Sequence, residues 1–382
     1  MSDLAGARPS APTLRDWVSD EQAAAVFGRP PQSAEVLTHN PMNAVTGGIW
    51  RVTAGDATAV CKVVADGAGA DSPEHWEASH ELRHFNYWRR EIEAYAADLA
   101  AEFRPHGVDA PRLLHLDDPG QGAAVLWLED VEGYGATDWD LGEFAAFAGA
   151  LGQAQGRLAA AGDWDRPWLS RDFLRTYADS KPLDERRLAD DSAWAQPRIL
   201  QHLGDLREPL ERLHHDRARF YDLAAACPRT LCHLDVWPAN LMRRLVDDTF
   251  VLLDWSFCGD GALGEDVANL IPDSVFDLMR PVDELEALAE QVEEAYIEGV
   301  AAGGWDGDER WIRLGIRTAA VKYHWLVGGL LRDAADDGGA TAYGGQHVDR
   351  DELYTARAEG LRLLCRWADE ADALAFVLGV TT

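Results

Sequence analysis

Residues 231–254 read LCHLDVWPANLMRRLVDDTFVLLD, a stretch that spaces His233, Asp235, Asn240 and Asp254 as a phosphoryl-transfer site needs them. Pro238 falls between Asp235 and Asn240. A proline there removes a backbone donor and breaks a helix, so the segment predicts a loop from which both polar side chains point into one cleft. The apolar run 250–253 predicts a buried strand that delivers Asp254 at its end. An acceptor hydroxyl attacking the terminal phosphate of a nucleotide must be aligned and must lose its proton, and Asp235 is the expected base. The polyphosphate needs hard divalent cations held by oxygen ligands, and Asn240 and Asp254 fit that task. His233 is expected to support the loop rather than to transfer protons.

HLDVWPAN followed by VLLDWSF resembles the aminoglycoside phosphotransferase family, relatives of the protein kinases whose loop usually reads His-Gly-Asp with an Asn five residues after the Asp. The departure is Leu234 in place of the glycine, which bears on how the loop packs. A protein kinase would carry His-Arg-Asp and Asp-Phe-Gly, whereas this chain has His233-Leu234-Asp235 and Asp254-Trp255-Ser256, which favours the small-molecule branch. The resemblance implies an α+β, two-lobed, protein-kinase-like fold with a small β-rich N-lobe and a larger, mainly helical C-lobe. It implies ATP and Mg2+ as cofactors.

A kinase also needs a phosphate-covering glycine loop, a strand lysine and a helix glutamate, in that order. Residues 46–52 predict a strand, a tight turn and a returning strand, with Gly47 and Gly48 letting backbone N–H groups approach phosphate oxygens. Taken alone a double glycine is a turn signal. Residues 58–64 predict a strand with Lys62 alone in its middle; an edge-strand lysine facing solvent is the bland alternative. By resemblance, Lys62 contacts the α- and β-phosphates and pairs with a glutamate on the next helix. Residues 87–99 predict that helix, with Tyr87, Glu91, Tyr95 and Leu99 at four-residue spacing and Glu91 on the inward stripe. Glu93 is the alternative, and surface pairing of Glu91 with Arg89 or Arg90 is the non-functional one. Residues 123–128 read as a strand and 129–133 as the connection between lobes, where the family holds adenine by main-chain groups; Glu129 and Val131 are assigned there by position. Asp266 opens a helical run and is expected to cap it and to tie the catalytic loop.

The 382 residues can bury a substantial core, and the expected division is a lead with a short helix over residues 1–30, a nucleotide-binding N-lobe over 31–130 and a catalytic C-lobe over 131–382. The formal net charge is −31 at pH 7. Such a field repels nucleic acid and anionic membranes and attracts cations, which favours an amine-bearing acceptor, although an acidic proteome produces the same bias. Five scattered cysteines without a CxxC pair argue against disulfides and structural zinc. No signal-peptide pattern opens the chain and no uncharged run approaches membrane-spanning length, so a cytoplasmic protein is expected. The segment 67–73 reads as a flexible insertion. Helices are expected from 141 through 158, through 164–226, and over 284–302 and 310–331.

His80-Glu81-Leu82-Arg83-His84 matches HExxH, where paired histidines one helical turn apart can hold zinc. A solvent-facing helical pair explains it better, since no third ligand accompanies it. Fifteen tryptophans are unusual. Trp237 and Trp325, with Tyr323, Asp273 and Asp277, are candidate acceptor contacts, and Trp255 reads as core. Together these features predict an ATP-dependent O-phosphotransferase acting on a hydroxyl of a small, amine-bearing molecule, an aminoglycoside or another natural product, with resistance and biosynthetic roles equally open. A Ser/Thr peptide kinase is the nearest alternative, and a nucleotide-binding scaffold without turnover is the third.

Overall fold

A five-stranded sheet dominates the first part of the chain, in the computed structural model, which describes residues 13–68, 71–120 and 122–380. Numbered along the chain, its strands are β1 (Ser33–Val36), β2 (Thr46–Ala54), β3 (Ala57–Ala65), β5 (Leu113–Asp117) and β6 (Ala123–Glu129), in the spatial order β1-β2-β3-β6-β5. β3 is therefore central, hydrogen-bonded to β2 and β6, and Lys62 lies opposite Ile49 on one side and Leu126 on the other. Alternation along the strand puts Cys61 and Val63 into the apolar cluster with Trp50, Val52 and Trp127, while Lys62 sits on the other face, only 5% exposed. The edge-strand alternative for Lys62 is thereby excluded. The expected short helix of the lead resolves into a 3-10 turn, Leu14–Asp16, and α1 (Asp20–Phe27), which is capped by Ser19 and ended by Gly28 in the left-handed region. Residues 1–12 lie outside the described residues, as do 69–70 of the expected insertion.

The chain divides into two units: residues through Ala78 with Pro111–Asp130, and Ser79–Ala110 with Val131 onward. Residues 79–110, expected in the N-lobe, thus belong to the second unit. Arg90 is the physical reason. It is fully buried, and its N–H donors reach the carbonyls of Leu82, His84 and Phe85 and, far along the chain, Trp168 and Ser256. A guanidinium has five donors, and all are used. Burial holds its pKa down to about 10.

The helix expected over 87–99 is shorter, α2 (Arg90–Ala96). Tyr87 instead bridges Ser79 in parallel, and Asp98 enters the left-handed region and stops the helix before a 3-10 turn. His80 lies in irregular backbone and His84 in a bend, so the expected helical pair does not form.

The second unit contains a four-stranded sheet ordered β4 (Val108–Asp109), β10 (Phe250–Leu252), β9 (Leu241–Arg244), β7 (Gly133–Gly135), and a ribbon of β8 (Arg229–Cys232) with β11 (Gly259–Ala262). Its core helix is α3 (Leu141–Ala161), on which Phe144, Phe147, Leu151, Ala154 and Leu158 are all fully buried, as their spacing predicts. The region 164–226 breaks into six short helices, α4 (Phe173–Ser180), α5 (Glu185–Leu188), α6 (Asp191–Trp194), α7 (Pro197–Leu203), α8 (Arg207–His215) and α9 (Arg217–Ala226). Then follow α10 (Glu265–Phe276), α11 (Leu285–Ala302), α12 (Arg310–Thr318), α13 (Leu326–Asp333) and α14 (Arg350–Leu378). Glycine lets α3 and α11 approach closely: a Cβ on Gly156 would strike the Val300 carbonyl, and one on Gly299 that of Gly149. The helix expected over 310–331 is interrupted by a 3-10 turn, Ala319–Tyr323, which turns Lys322 and Tyr323 inward, both buried. Among the described residues no helix is long and apolar enough to cross a membrane.

Candidate active site

β8 and β9 are joined by residues 233–240, which form a loop ending in a 3-10 turn at Pro238–Asn240, as the proline predicts. Leu234 stands in the left-handed region with φ 66°, a conformation that costs a branched side chain about 1–2 kcal/mol and explains why a glycine suits this position. Asp266 holds it there. Its carboxylate, on α10 and fully buried, accepts from the backbone N–H of His233 at 2.9 Å and of Leu234 at 2.7 Å, and from Gln155 Nε2 at 2.7 Å. Asp266 therefore ties the loop as expected, but its side chain does not cap its own helix, whose N-cap is Gly264.

Asp235 follows, and Asn240 Nδ2 donates both to its carboxylate at 2.8 Å and to its carbonyl at 3.0 Å. Leu253 N–H donates to the Asn240 carbonyl at 2.9 Å, which splices the loop onto the end of β10 beside Asp254. Asp254 is itself left-handed, φ 58°, so the strand ends there, and its carboxylate accepts from Ser256 N–H at 3.4 Å. His233 is buried; its Nε2 meets the Leu253 carbonyl at 2.9 Å and its ring lies 5.0 Å from that of Trp255. That is a supporting role. Trp255 is core, with its indole N–H on the Leu252 carbonyl.

Desolvation raises the Asp235 carboxyl to about 7, with the charges of Asp254 and Asp273 adding to the rise and Lys322 and the Asn240 bond opposing it. Asp273 is likewise pushed up to about 6 by desolvation, with Lys322 and Tyr323 opposing. The Tyr323 hydroxyl lies 2.5 Å from an Asp273 carboxylate oxygen and 2.6 Å from Asn269 Oδ1, its single proton shared between these two acceptors, and Lys322 Nζ donates to the same Asn269 oxygen. Asn269 in turn donates to the Val236 carbonyl, back on the 233–240 loop.

The second unit thus brings together Asp235, Asn240, Asp254, His233, Asp273 and Tyr323. Three expected acceptor contacts fit less well. Asp277 is paired with Arg357 at 3.1 Å, Trp325 donates its indole N–H to the Lys322 carbonyl at 2.8 Å, and Trp237 packs edge-on against Tyr343. Glu91, on α2, is buried, while Glu93, its alternative, pairs with Arg89. Tyr95, one turn along α2, has its phenol pushed well up by burial and by the charges of Glu91, Asp254 and Asp109, which places α2 beside Asp254. Val131 opens this unit, half-buried.

In the first unit, Gly47 and Gly48 do not form a turn between strands. They lie inside β2 at a β-bulge, and Gly48, φ 148°, leaves no room for a Cβ under the Trp50 ring. The connection between β1 and β2 is residues 37–45, which sequence reading overlooked for lack of glycine. Glu129 closes β6, bonded to Arg112.

The model of the phosphotransferase enzyme family matches residues 49–311. No curated protein matches the chain. Similar solved structures include the amicoumacin kinase hAmiN in complex with AMP-PNP, Ca2+ and Ami, 13% identical over 93% of this chain and 94% of that one, TM-score 0.49. The apo form of a thermostable mutant of aminoglycoside phosphotransferase APH(4)-Ia is 14% identical over 91% and 98%, TM-score 0.49. A choline/ethanolamine kinase family protein from Mesorhizobium loti is 15% identical over 90% and 92%, TM-score 0.47. At such distances the likenesses carry no argument about the acceptor.

Proposed function

Because the chain belongs to the phosphotransferase enzyme family, with its kinase-like fold, we propose that it moves the γ-phosphate of ATP to a hydroxyl of a small molecule, with Asp235 as the base. The observation that carries this reading is the Asp235 carboxylate, desolvated, fixed by Asn240 and set in the field of Asp254. In the transfer the acceptor oxygen bonds to the γ-phosphorus, the bond from phosphorus to the β,γ-bridging oxygen breaks, ADP leaves and the hydroxyl proton passes to Asp235.

Asn240 commits its amide N–H groups to Asp235, which leaves its carbonyl oxygen as a ligand atom; with the Asp254 carboxylate this is a hard-oxygen donor set that suits Mg2+. When bound, the cation offsets polyphosphate charge. In the same proposal Lys62 positions the α- and β-phosphates, and Glu91, Glu129 and Val131 are further nucleotide-binding candidates.

The test is acceptor-stimulated ADP release from Mg-ATP across sugars, sugar acids, amino alcohols, aminoglycosides and Ser-containing peptides. A small-molecule hit supports the reading; stimulation by peptides alone overturns it in favour of a protein kinase.

Lys322 gives a signed pH prediction. Asp235 works deprotonated, so the rate rises as pH passes through its pKa, and the Lys322 charge holds that pKa down. Lys322→Met removes this charge. The acid limb of the kcat/KM profile is expected to move to higher pH, and an unmoved or lowered limb would separate Lys322 from the base.

A further inference from the structure

Gln155 is a polar side chain on an apolar stripe. It sits on α3 between Leu151 and Leu158, and like them it is fully buried. A leucine there would continue the stripe, and exchanging buried hydrogen-bonding partners for apolar groups of the same shape can be neutral or stabilising. Packing alone therefore does not call for the amide.

Its hydrogen bonds run in one direction. The backbone N–H of Gly264 donates to the Tyr296 hydroxyl at 3.0 Å, which leaves the single phenolic proton for Gln155 Oε1 at 2.6 Å. With its oxygen taken, Gln155 directs Nε2 to Asp266 at 2.7 Å and to the Leu231 carbonyl at 3.1 Å, with Cys232 Sγ at 3.5 Å. Asp266 in turn accepts the N–H groups of His233 and Leu234. The path leaves from the N-cap of α10 and returns to Asp266 in the first turn of the same helix, so it closes as a ring through α11 and α3. Gly152, three residues before Gln155, lets α11 come near enough: a Cβ on it would lie 2.4 Å from the Tyr296 carbonyl oxygen.

The ring bears on the one residue of the 233–240 loop with positive φ. Glycine takes that left-handed conformation freely, whereas Leu234, φ 66°, adopts it against its steric preference. We propose that Gln155 and Tyr296 are positioning residues for the transfer: through Asp266 they hold Leu234 left-handed and so aim the carboxylate of Asp235, the next residue, at the reacting hydroxyl. Both are fully buried and act through the loop. The proposal rests on Asp235 being the base. It also makes the ring the counterpart of the branched side chain at 234, so that with a glycine there the ring loses its task.

A double-mutant cycle in the full-length protein tests it, with Tyr296→Phe, Leu234→Gly and the two combined. One readout needs no acceptor: the protection of the backbone amides of residues 233 and 234 against hydrogen exchange. The other is kcat for ADP release from Mg-ATP with the most active small molecule of the acceptor panel above. Tyr296→Phe should lower both protection and kcat by about tenfold, the factor to which the left-handed preference converts, and leave KM for ATP in place. In the Leu234→Gly background the same change should cost less than about threefold in either readout. A general loss of packing would act equally in both backgrounds. Gln155→Met replaces Tyr296→Phe if the latter melts below the assay temperature. Unchanged protection, unchanged kcat, or an equal loss in both backgrounds overturns the proposal. Failure of the base itself reads out separately, as acceptor-stimulated ADP release that survives in Asp235→Asn whatever the cycle gives.

Discussion

Asp235→Asn is expected to lower kcat by about a thousandfold, the scale at which a positioned general base contributes. The substitution keeps the shape of the side chain and an oxygen that can accept from Asn240 Nδ2, the bond that measures 2.8 Å in the native loop. What disappears is the capacity to take up the hydroxyl proton. Nucleotide affinity should change little, because removing a carboxylate from a site it shares with the charges of Asp254 and Asp273 relieves repulsion rather than adding it. The check is a pair of measurements on one preparation: single-turnover transfer, which should vanish from the fast phase, and a nucleotide titration, which should superimpose on that of the native protein. Transfer at the native rate would remove Asp235 from the chemistry.

Asp266→Ala should act on the fold and on the reaction together. The native carboxylate accepts three hydrogen bonds in a fully buried place, from the main chain of His233 and Leu234 and from Gln155. Alanine would strand all three donors, and each buried donor left unsatisfied costs about 1–3 kcal/mol. It would also release Leu234 from its left-handed conformation, since the N–H bond at 2.7 Å is what holds that residue against its own steric preference. Denaturant unfolding should show the loss of stability. Turnover measured well below the new melting temperature should still be depressed, because the residue that follows Leu234 is the proposed base. A variant that is destabilised yet fully active would reduce Asp266 to a packing role.

The loop over 233–240 was legible in the sequence because its constraints are local: a proline that forbids a helix, two polar residues five apart and an apolar strand ending in an aspartate leave few alternatives. The long buried stripe of α3 was legible for the same reason. Gly47 and Gly48 were misplaced because a turn and a β-bulge make the same demand on a glycine, and only the pairing of β2 with β3 tells them apart. The extent of α2 was overread, since Tyr87 and Leu99 are buried by packing of turns at a spacing that imitates a helix. The assignment of 79–110 to the wrong unit followed from reading contiguity as packing, when Arg90 reaches carbonyls 78 and 166 residues away.

Lys322 was invisible for another reason. It stands on the 3-10 turn that breaks an expected helix, and no periodicity marks that break. The acidic net charge favours an amine-bearing acceptor through the field of the whole chain, which describes approach from solution, whereas the last few ångströms are governed by groups that touch the ligand.

The central claim is that Asn240 and Asp254 hold the cation of a bound nucleotide beside Asp235. Electron paramagnetic resonance of Mn2+ with ADP addresses it without any acceptor. Wild-type protein and Asp235→Asn should both immobilise the Mn2+–nucleotide complex, and Asp254→Ala should weaken its binding by about tenfold or more. Undiminished binding of the complex by Asp254→Ala would contradict the account.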